Sequence, residues 1–220
     1  MKQIVIEKSV LESNDKRAAL NRTLFKTQKT FTINLLGSPG SGKTSILENI
    51  ISLLSVKYHL AIIEGDLYTA KDADRIARYN TNVVQVNTGG ACHLDASMID
   101  KALLYINTLD LDLLIIENIG NLVCPASYDL GEDMKIVVMS VTEGNDKPLK
   151  YPSMFQRSSV VILNKMDMLS LTDFNTEEFH QDIYSLNETI KVFEVSCQDA
   201  SGINNLIDFL MLAIKNKKDL

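Results

Sequence analysis

Gly37-Ser38-Pro39-Gly40-Ser41-Gly42-Lys43-Thr44 follows the pattern G-x-x-x-x-G-K-[ST], which suits the phosphates of a nucleoside triphosphate. Its glycines let the backbone wrap an anion so that successive N–H groups point inward. A helix opening at Lys43 adds positive potential at the same spot. Lys43 would neutralise β- and γ-phosphate oxygens, the Thr44 hydroxyl would ligate Mg²⁺, and Ser45 extends the set. A second group has different chemistry. Thr88-Gly89-Gly90-Ala91-Cys92-His93 and the later Cys124-Pro125 offer two thiols and an imidazole. These are borderline-to-soft ligands, suited to Ni²⁺ or Zn²⁺ and poor for Mg²⁺. Neighbouring residues of a strand face opposite sides. Cys92 and His93 can therefore share a metal only from a bent loop, which Gly89 and Gly90 permit. Spacing alone leaves the bland alternative open, because buried free cysteines are common.

Asn164-Lys165-Met166-Asp167 resembles the N-K-x-D signature of GTPases. The Asp167 carboxylate can accept two hydrogen bonds from guanine N1–H and N2–H₂, where adenine would present an acceptor and be repelled. Lys165 would lie along the base, and Asn164 would brace the loop. Ser196-Cys197-Gln198-Asp199 looks like a second base-contacting loop acting through backbone N–H groups, with the Cys197 side chain read as packing. In place of the D-x-x-G of many switch GTPases stands Glu117-Asn118-Ile119-Gly120, where the Gly120 amide could meet a γ-phosphate. Asp66, Asp72 and Glu117 are the acidic candidates. Asp66 is assigned to the Mg²⁺ shell and Glu117 to positioning of the attacking water, with Asp72 read as a cap or solvated acid. With no evident glutamine or arginine finger in these motifs, intrinsic turnover is expected below ~1 s⁻¹.

Positioning these groups requires a scaffold with all of them at one rim. Apolar β-rich runs occur at Thr32–Leu36, Leu60–Glu64, Val83–Asn87, Leu113–Glu117, Ile136–Val141, Val160–Asn164 and Val192–Val195. Helical spacing links Ile46, Leu47, Ile50, Ile51 and Leu54, then Met98 to Ile106, then Ile203 to Ile214. Continuous apolar strands alternating with helices imply an α/β fold, with a mainly parallel central sheet and helices on both faces. Ligands then bind beyond the carboxyl ends of the strands, and the reactive residues fall just there. The expected division is a basic arm or helix over 1–30, with seven Lys/Arg against three Asp/Glu, and a P-loop GTPase domain over 31–220.

Bulk properties narrow the classes. A chain of 220 residues with 45% apolar and 23% charged residues suits one folded domain. A formal charge of -6 argues against general nucleic-acid binding. No run reaches the ~18 to 20 apolar residues of a membrane span, and no signal peptide is evident. The three cysteines cannot all pair within the chain, so a reducing cytoplasm is expected.

Taken together, G-S-P-G-S-G-K-T, E-G-D, T-G-G-A-C-H-L-D, E-N-I-G-N-L-V-C-P, E-G-N-D-K-P-L-K-Y-P and N-K-M-D resemble the hydrogenase nickel-incorporation GTPase family (HypB) across about residues 30–215. The resemblance implies a GTP-hydrolysing metallochaperone that uses Mg²⁺ and binds Ni²⁺, or Zn²⁺ at the same site, through Cys92, His93 and Cys124. It further implies a homodimer promoted by GTP, and delivery with maturation partner proteins to the apo-hydrogenase large subunit. The Asp146-Lys147-Pro148-Leu149-Lys150 segment would then lie near the paired subunit or the nucleotide. A urease-accessory GTPase is the near alternative, but its metal motif reads Cys-Pro-His, whereas Cys92 and His93 are adjacent here. A metal-free GTP switch is the alternative of another class.

Overall fold

The computed structural model describes residues 6–66, 76, 79 and 81–219 of the chain. Among them the apolar runs become β1 (Phe31–Gly37), β2 (Leu60–Asp66), β3 (Asn82–Asn87), β4 (Leu113–Glu117), β5 (Met134–Ser140), β6 (Val160–Asn164) and β7 (Lys191–Glu194). They form one sheet of order β3-β2-β4-β1-β5-β6-β7, parallel at every pairing. The central strands β1, β4 and β6 are buried along their whole length, whereas the edge strands β3 and β7 are half-exposed. That is why the inner strands read as unbroken apolar runs.

Two run ends fall outside the strands. Val141 opens a 3₁₀ turn, Val141–Glu143, because Glu143 and Ser140 form a reciprocal cap that bends the chain. Val195 follows β7; it is fully buried and makes its apolar contribution from a loop.

Among the described residues the helices are α1 (Ile6–Thr27), α2 (Lys43–Leu54), α3 (Ala96–Leu103), α4 (Cys124–Ser127), α5 (Lys147–Lys150), α6 (Pro152–Gln156), α7 (Thr176–Leu186) and α8 (Ile203–Lys218). Side chains alternate across each strand, and the core divides accordingly. Ile33, Ile115, Val138 and Ile162 meet α2 and α8 on one face through Ile46, Ile50, Leu206 and Leu210. On the other face, Val137, Met139, Val161 and Leu163 meet α6 and α7 through Phe155, Phe179 and Ile183. Ile63, Leu114 and Ile116 meet Ile99 and Leu103 of α3 and Phe25 of α1.

The stretch expected as a basic arm or helix thus buries one face of α1. Asn14, Ala18, Asn21 and Phe25 of α1 recur at helical spacing and are all buried. Asn21 Nδ2 donates to the carbonyls of Ala96 (2.9 Å) and Leu130 (3.1 Å), while Asn14 bonds Asp129 O and Ala96 N. Half of this stripe is polar, so an apolar count misses it. Among the described residues no helix is long and apolar enough to cross a membrane.

Candidate functional site

The parallel register brings the carboxyl ends of the inner strands level. Leu35 pairs with Glu117, Glu64 pairs with Glu117, Gly37 with Val138, and Ser140 with Asn164. The glycine loop leaves β1 at this rim and enters α2 at Gly42, whose φ of 97° is left-handed. A Cβ on Gly42 would lie 2.3 Å from Asn164 Nδ2, and one on Gly37 would lie 2.4 Å from Val138 O. Only glycine tolerates both backbone and neighbours there. Lys43, 8% exposed, donates from Nζ to the carbonyls of Gly37 (3.3 Å) and Ser38 (3.1 Å). The Ser38 hydroxyl donates to the Glu143 carboxylate. A cavity of about 570 Å³ opens over this loop, lined by Pro39, Gly40, Lys43 and Thr44 and closed by Glu64, Glu117 and Gly120.

The Thr44 hydroxyl donates to Glu117 Oε1 at 2.8 Å. Glu64 stands beside Glu117 across the β2–β4 pairing, and both are buried. A hydroxyl and two carboxylates form a hard-oxygen donor set, the type that suits Mg²⁺ beside phosphate. Asp66 ends β2, but its side chain, and Asp72 entirely, lie outside the described residues. Gly120 packs against Pro39, where a Cβ would come within 3.0 Å of the proline nitrogen.

A neighbouring cavity of about 370 Å³ shares Gly42, Ser45 and Lys165 with the first and extends to Asn164, Asp167 and Cys197. Asn164 Nδ2 donates to Ser41 O at 3.1 Å, tying the two motifs together, and Lys165 Nζ donates to Gly40 O at 2.7 Å. Asp167 Oδ1 accepts from the Ser196 hydroxyl at 2.7 Å, which in turn accepts from the Gln198 N–H. Burial pushes the Cys197 thiol up to about 11, assisted by the Asp167 and Glu48 carboxylates. It is a neutral wall residue, its Sγ 3.6 Å from Asn164 Oδ1.

The soft-ligand residues meet on the same rim. After β3 the chain turns back on itself: Gly89 and Gly90 have positive φ, and the Thr88 hydroxyl donates to Ala91 O. The bend puts Cys92 and His93 on one side. Cys92 Sγ lies 2.9 Å from Cys124 Sγ and 3.6 Å from His93 Nδ1. One donor atom from each of the three falls within 4.8 Å of the others. The hydrogen bond with Cys124, then burial, holds the Cys92 thiol above its ordinary range. Burial lowers the His93 pKa against the pull of Asp95, favouring the neutral imidazole that can act as a ligand. The His93 ring also packs against that of Tyr128, centroids 3.8 Å apart and planes tilted by 33°. Two thiols and a neutral imidazole so placed suit a borderline or soft divalent cation.

Sequence reasoning missed four contributors. Glu64 is the charged end of an apolar run, a signal that it faces a polar rim. Asn118, Asn121 and Glu143 gave no comparable signal, because their partners are remote in the chain. Asn118 Oδ1 accepts from the N–H of Leu94 (3.1 Å) and Ile119 (2.9 Å), and its Nδ2 donates to the buried Asn34.

A parallel sheet with a glycine loop leaving its middle strand into a helix, and a base-sized cavity alongside, defines a P-loop NTPase. Residues 31–194 match the family described as CobW/HypB/UreG, nucleotide-binding domain. The chain belongs to that family and, within it, to the HypB hydrogenase maturation factors. It is 46% identical over 95% of its length, and 68% of the relative's, to hydrogenase maturation factor HypB of Azotobacter chroococcum. It is 40% identical over 96% of its length to the hydrogenase/urease maturation factor HypB of Helicobacter pylori, covering 88% of that protein. The crystal structure of HypB from Helicobacter pylori in complex with nickel superposes with a TM-score of 0.88 at 38% identity, covering 93% of this chain and 96% of that one.

Proposed function

We propose that this chain is a GTP-hydrolysing nickel carrier acting in the maturation of a nickel hydrogenase. The observation that carries the reading is the gathering of Cys92, His93 and Cys124 within 4.8 Å on the rim that also bears the glycine loop. Membership of the HypB family and the likeness to a nickel-bound relative support the choice of metal.

In this reading the loop from Gly37 to Thr44 wraps the phosphates of GTP, and Lys43 exchanges its two carbonyl partners for phosphate oxygens. Asn164, Lys165 and Asp167 hold guanine, with Ser196 keeping the Asp167 carboxylate in place and Cys197 closing the wall. Thr44 and Asp66 would hold Mg²⁺, with the Glu64 carboxylate adding to the hard-oxygen set, and the ion would supply charge neutralisation at the β- and γ-phosphates. Glu117 orients the attacking water once Thr44 no longer donates to it, and the Gly120 amide senses the γ-phosphate. Nickel is cargo, held by Cys92, His93 and Cys124. Three donors from one chain leave a coordination position for a second copy or a receiving partner, consistent with a dimer promoted by GTP and with transfer to the apo-hydrogenase. Loss of the γ-phosphate contacts then changes nickel affinity, and linkage requires nickel to shift nucleotide affinity in turn.

The test is nickel titration of the full chain, followed by thiolate-to-Ni²⁺ absorption, with GDP and then with a non-hydrolysable GTP analogue. A stoichiometric signal whose affinity depends on the nucleotide, and which is lost in Cys92→Ala, is expected. Absence of any thiolate–nickel signal in both nucleotide states would refute the carrier role.

A further inference from the structure

Two sites on one rim can be coupled through an element that moves with one and constrains the other. The glycine loop and the cysteine cluster share a neighbour. Asn121 lies between Gly120, at the phosphate cavity, and the segment that carries Cys124. Its backbone forms an antiparallel bridge with Gly37, the first residue of the glycine loop. Its side-chain Nδ2 donates to the carbonyl of Cys92 at 3.2 Å, and its Oδ1 accepts from the N–H of Val123 at 2.9 Å.

One amide therefore clasps both cysteine-bearing segments, which lie far apart in the chain, and the same residue is pinned through its backbone to the phosphate loop. Few side chains can do this. The clasp needs a donor and an acceptor on one short, planar group. Aspartate at neutral pH has no donor, alanine has neither, and serine has no second atom to place at the other contact.

We infer that Asn121 is the positioning residue through which the nucleotide state of the glycine loop sets the geometry of the Cys92/His93/Cys124 cluster; this rests on the nickel-carrier reading above. Both polar atoms of the Asn121 amide are engaged, by Cys92 O and by the Val123 N–H. It acts on the ligands by fixing the peptide of Cys92 relative to the start of α4. Metal–ligand distances are set to within ~0.2 Å, so a sub-ångström displacement of that peptide is enough to change affinity. Gly37 pairs with Val138 of β5, and a Cβ there would meet Val138 O at 2.4 Å. When the loop tightens on a γ-phosphate, the displacement has an outlet along the bridge to Asn121.

Coupling through Asn121 is separable from nickel binding itself. Nickel affinity is measured for the full-length chain with GDP and with a non-hydrolysable GTP analogue, and the ratio of the two is taken, so that any general weakening cancels. The wild type is expected to show a ratio of at least about fivefold. Asn121→Ala removes both clasp contacts. Asn121→Asp keeps the shape and the Val123 contact but turns an acceptor toward Cys92 O. Both variants are expected to bring the ratio to within about twofold of unity. A variant that merely loosened the fold would weaken both affinities and leave the ratio intact. If the wild type shows a nucleotide-dependent ratio and both variants keep it, Asn121 is not the link and this inference alone is overturned. If the wild type binds nickel equally in both states, the nucleotide coupling falls and takes this inference with it while nickel carriage stands; if it gives no thiolate–nickel signal at all, the carrier reading itself falls.

Discussion

Gly42→Ala concentrates two penalties on one added methyl group. The residue has a φ of 97°, where an L side chain pays roughly 1–2 kcal/mol. The new Cβ would also stand 2.3 Å from Asn164 Nδ2, closer than van der Waals contact allows. Asn164 is buried, so its amide must rotate away and release its 3.1 Å bond to Ser41 O. Losing a buried hydrogen bond and leaving the partner unsatisfied costs about 1–3 kcal/mol. The sum is about 2–5 kcal/mol, a large part of the ~5–15 kcal/mol that holds a domain folded. Urea denaturation of the nucleotide-free protein measures it. The decisive comparison is a double-mutant cycle with Asn164→Ala, which by itself should lose only the hydrogen-bond contribution. Because the clash and the lost bond share the same amide, Gly42→Ala/Asn164→Ala should be about as stable as Gly42→Ala. Single losses that add within ~0.5 kcal/mol would mean that Asn164 is not what the methyl displaces, and would refute the reasoning.

Base reading and the docking of α1 give two further tests. Asp167→Asn exchanges the acceptor facing guanine for a group that can donate, so competition binding should shift from guanine toward xanthine nucleotides; undiminished preference for GTP would overturn the role given to Asp167. Arg22 pairs with Asp129 at 2.6 Å across the α1 interface. Burial alone would raise the Asp129 pKa, but the hydrogen bond and charge of Arg22, together with the Gly131 N–H, outweigh it, so the folded carboxyl titrates below its ordinary value. A depressed folded pKa contributes stability above the unfolded value of about 3.9 and loses it as the pH falls through the folded value. Arg22→Met should thus be less stable than the wild type at pH 7, with the gap closing in acid below about pH 4. A gap that stays constant in urea melts from pH 7 to pH 3 would mean that the pair contributes packing only.

The chain's local pattern determined a good deal. Inner strands buried on both faces must be apolar throughout, and the half-exposed edge strands kept enough β-branched residues, so all seven strands could be located before any contact was known, with ends displaced by one or two residues. The glycine loop was legible because its φ angles and close approaches exclude other residues, and N-K-x-D because it lies where a buried strand ends. The bend at Gly89 and Gly90 was legible for the same reason.

Tertiary structure decided which of these local pieces became neighbours. Cys124 reaches Cys92 because β4 inserts between β2 and β1, and strand order is a property of long-range pairing that no local period records. Glu64 stands beside Glu117 for the same reason. Asn14 and Asn21 belong to the buried face of α1 only because carbonyls and amides of α3 and the loop around Leu130 are there to meet them. Asn121 is a polar loop residue in the sequence; its place between Gly37, Cys92 and Val123 exists only in the folded chain, since a hydrogen-bonding side chain takes its meaning from partners that folding supplies.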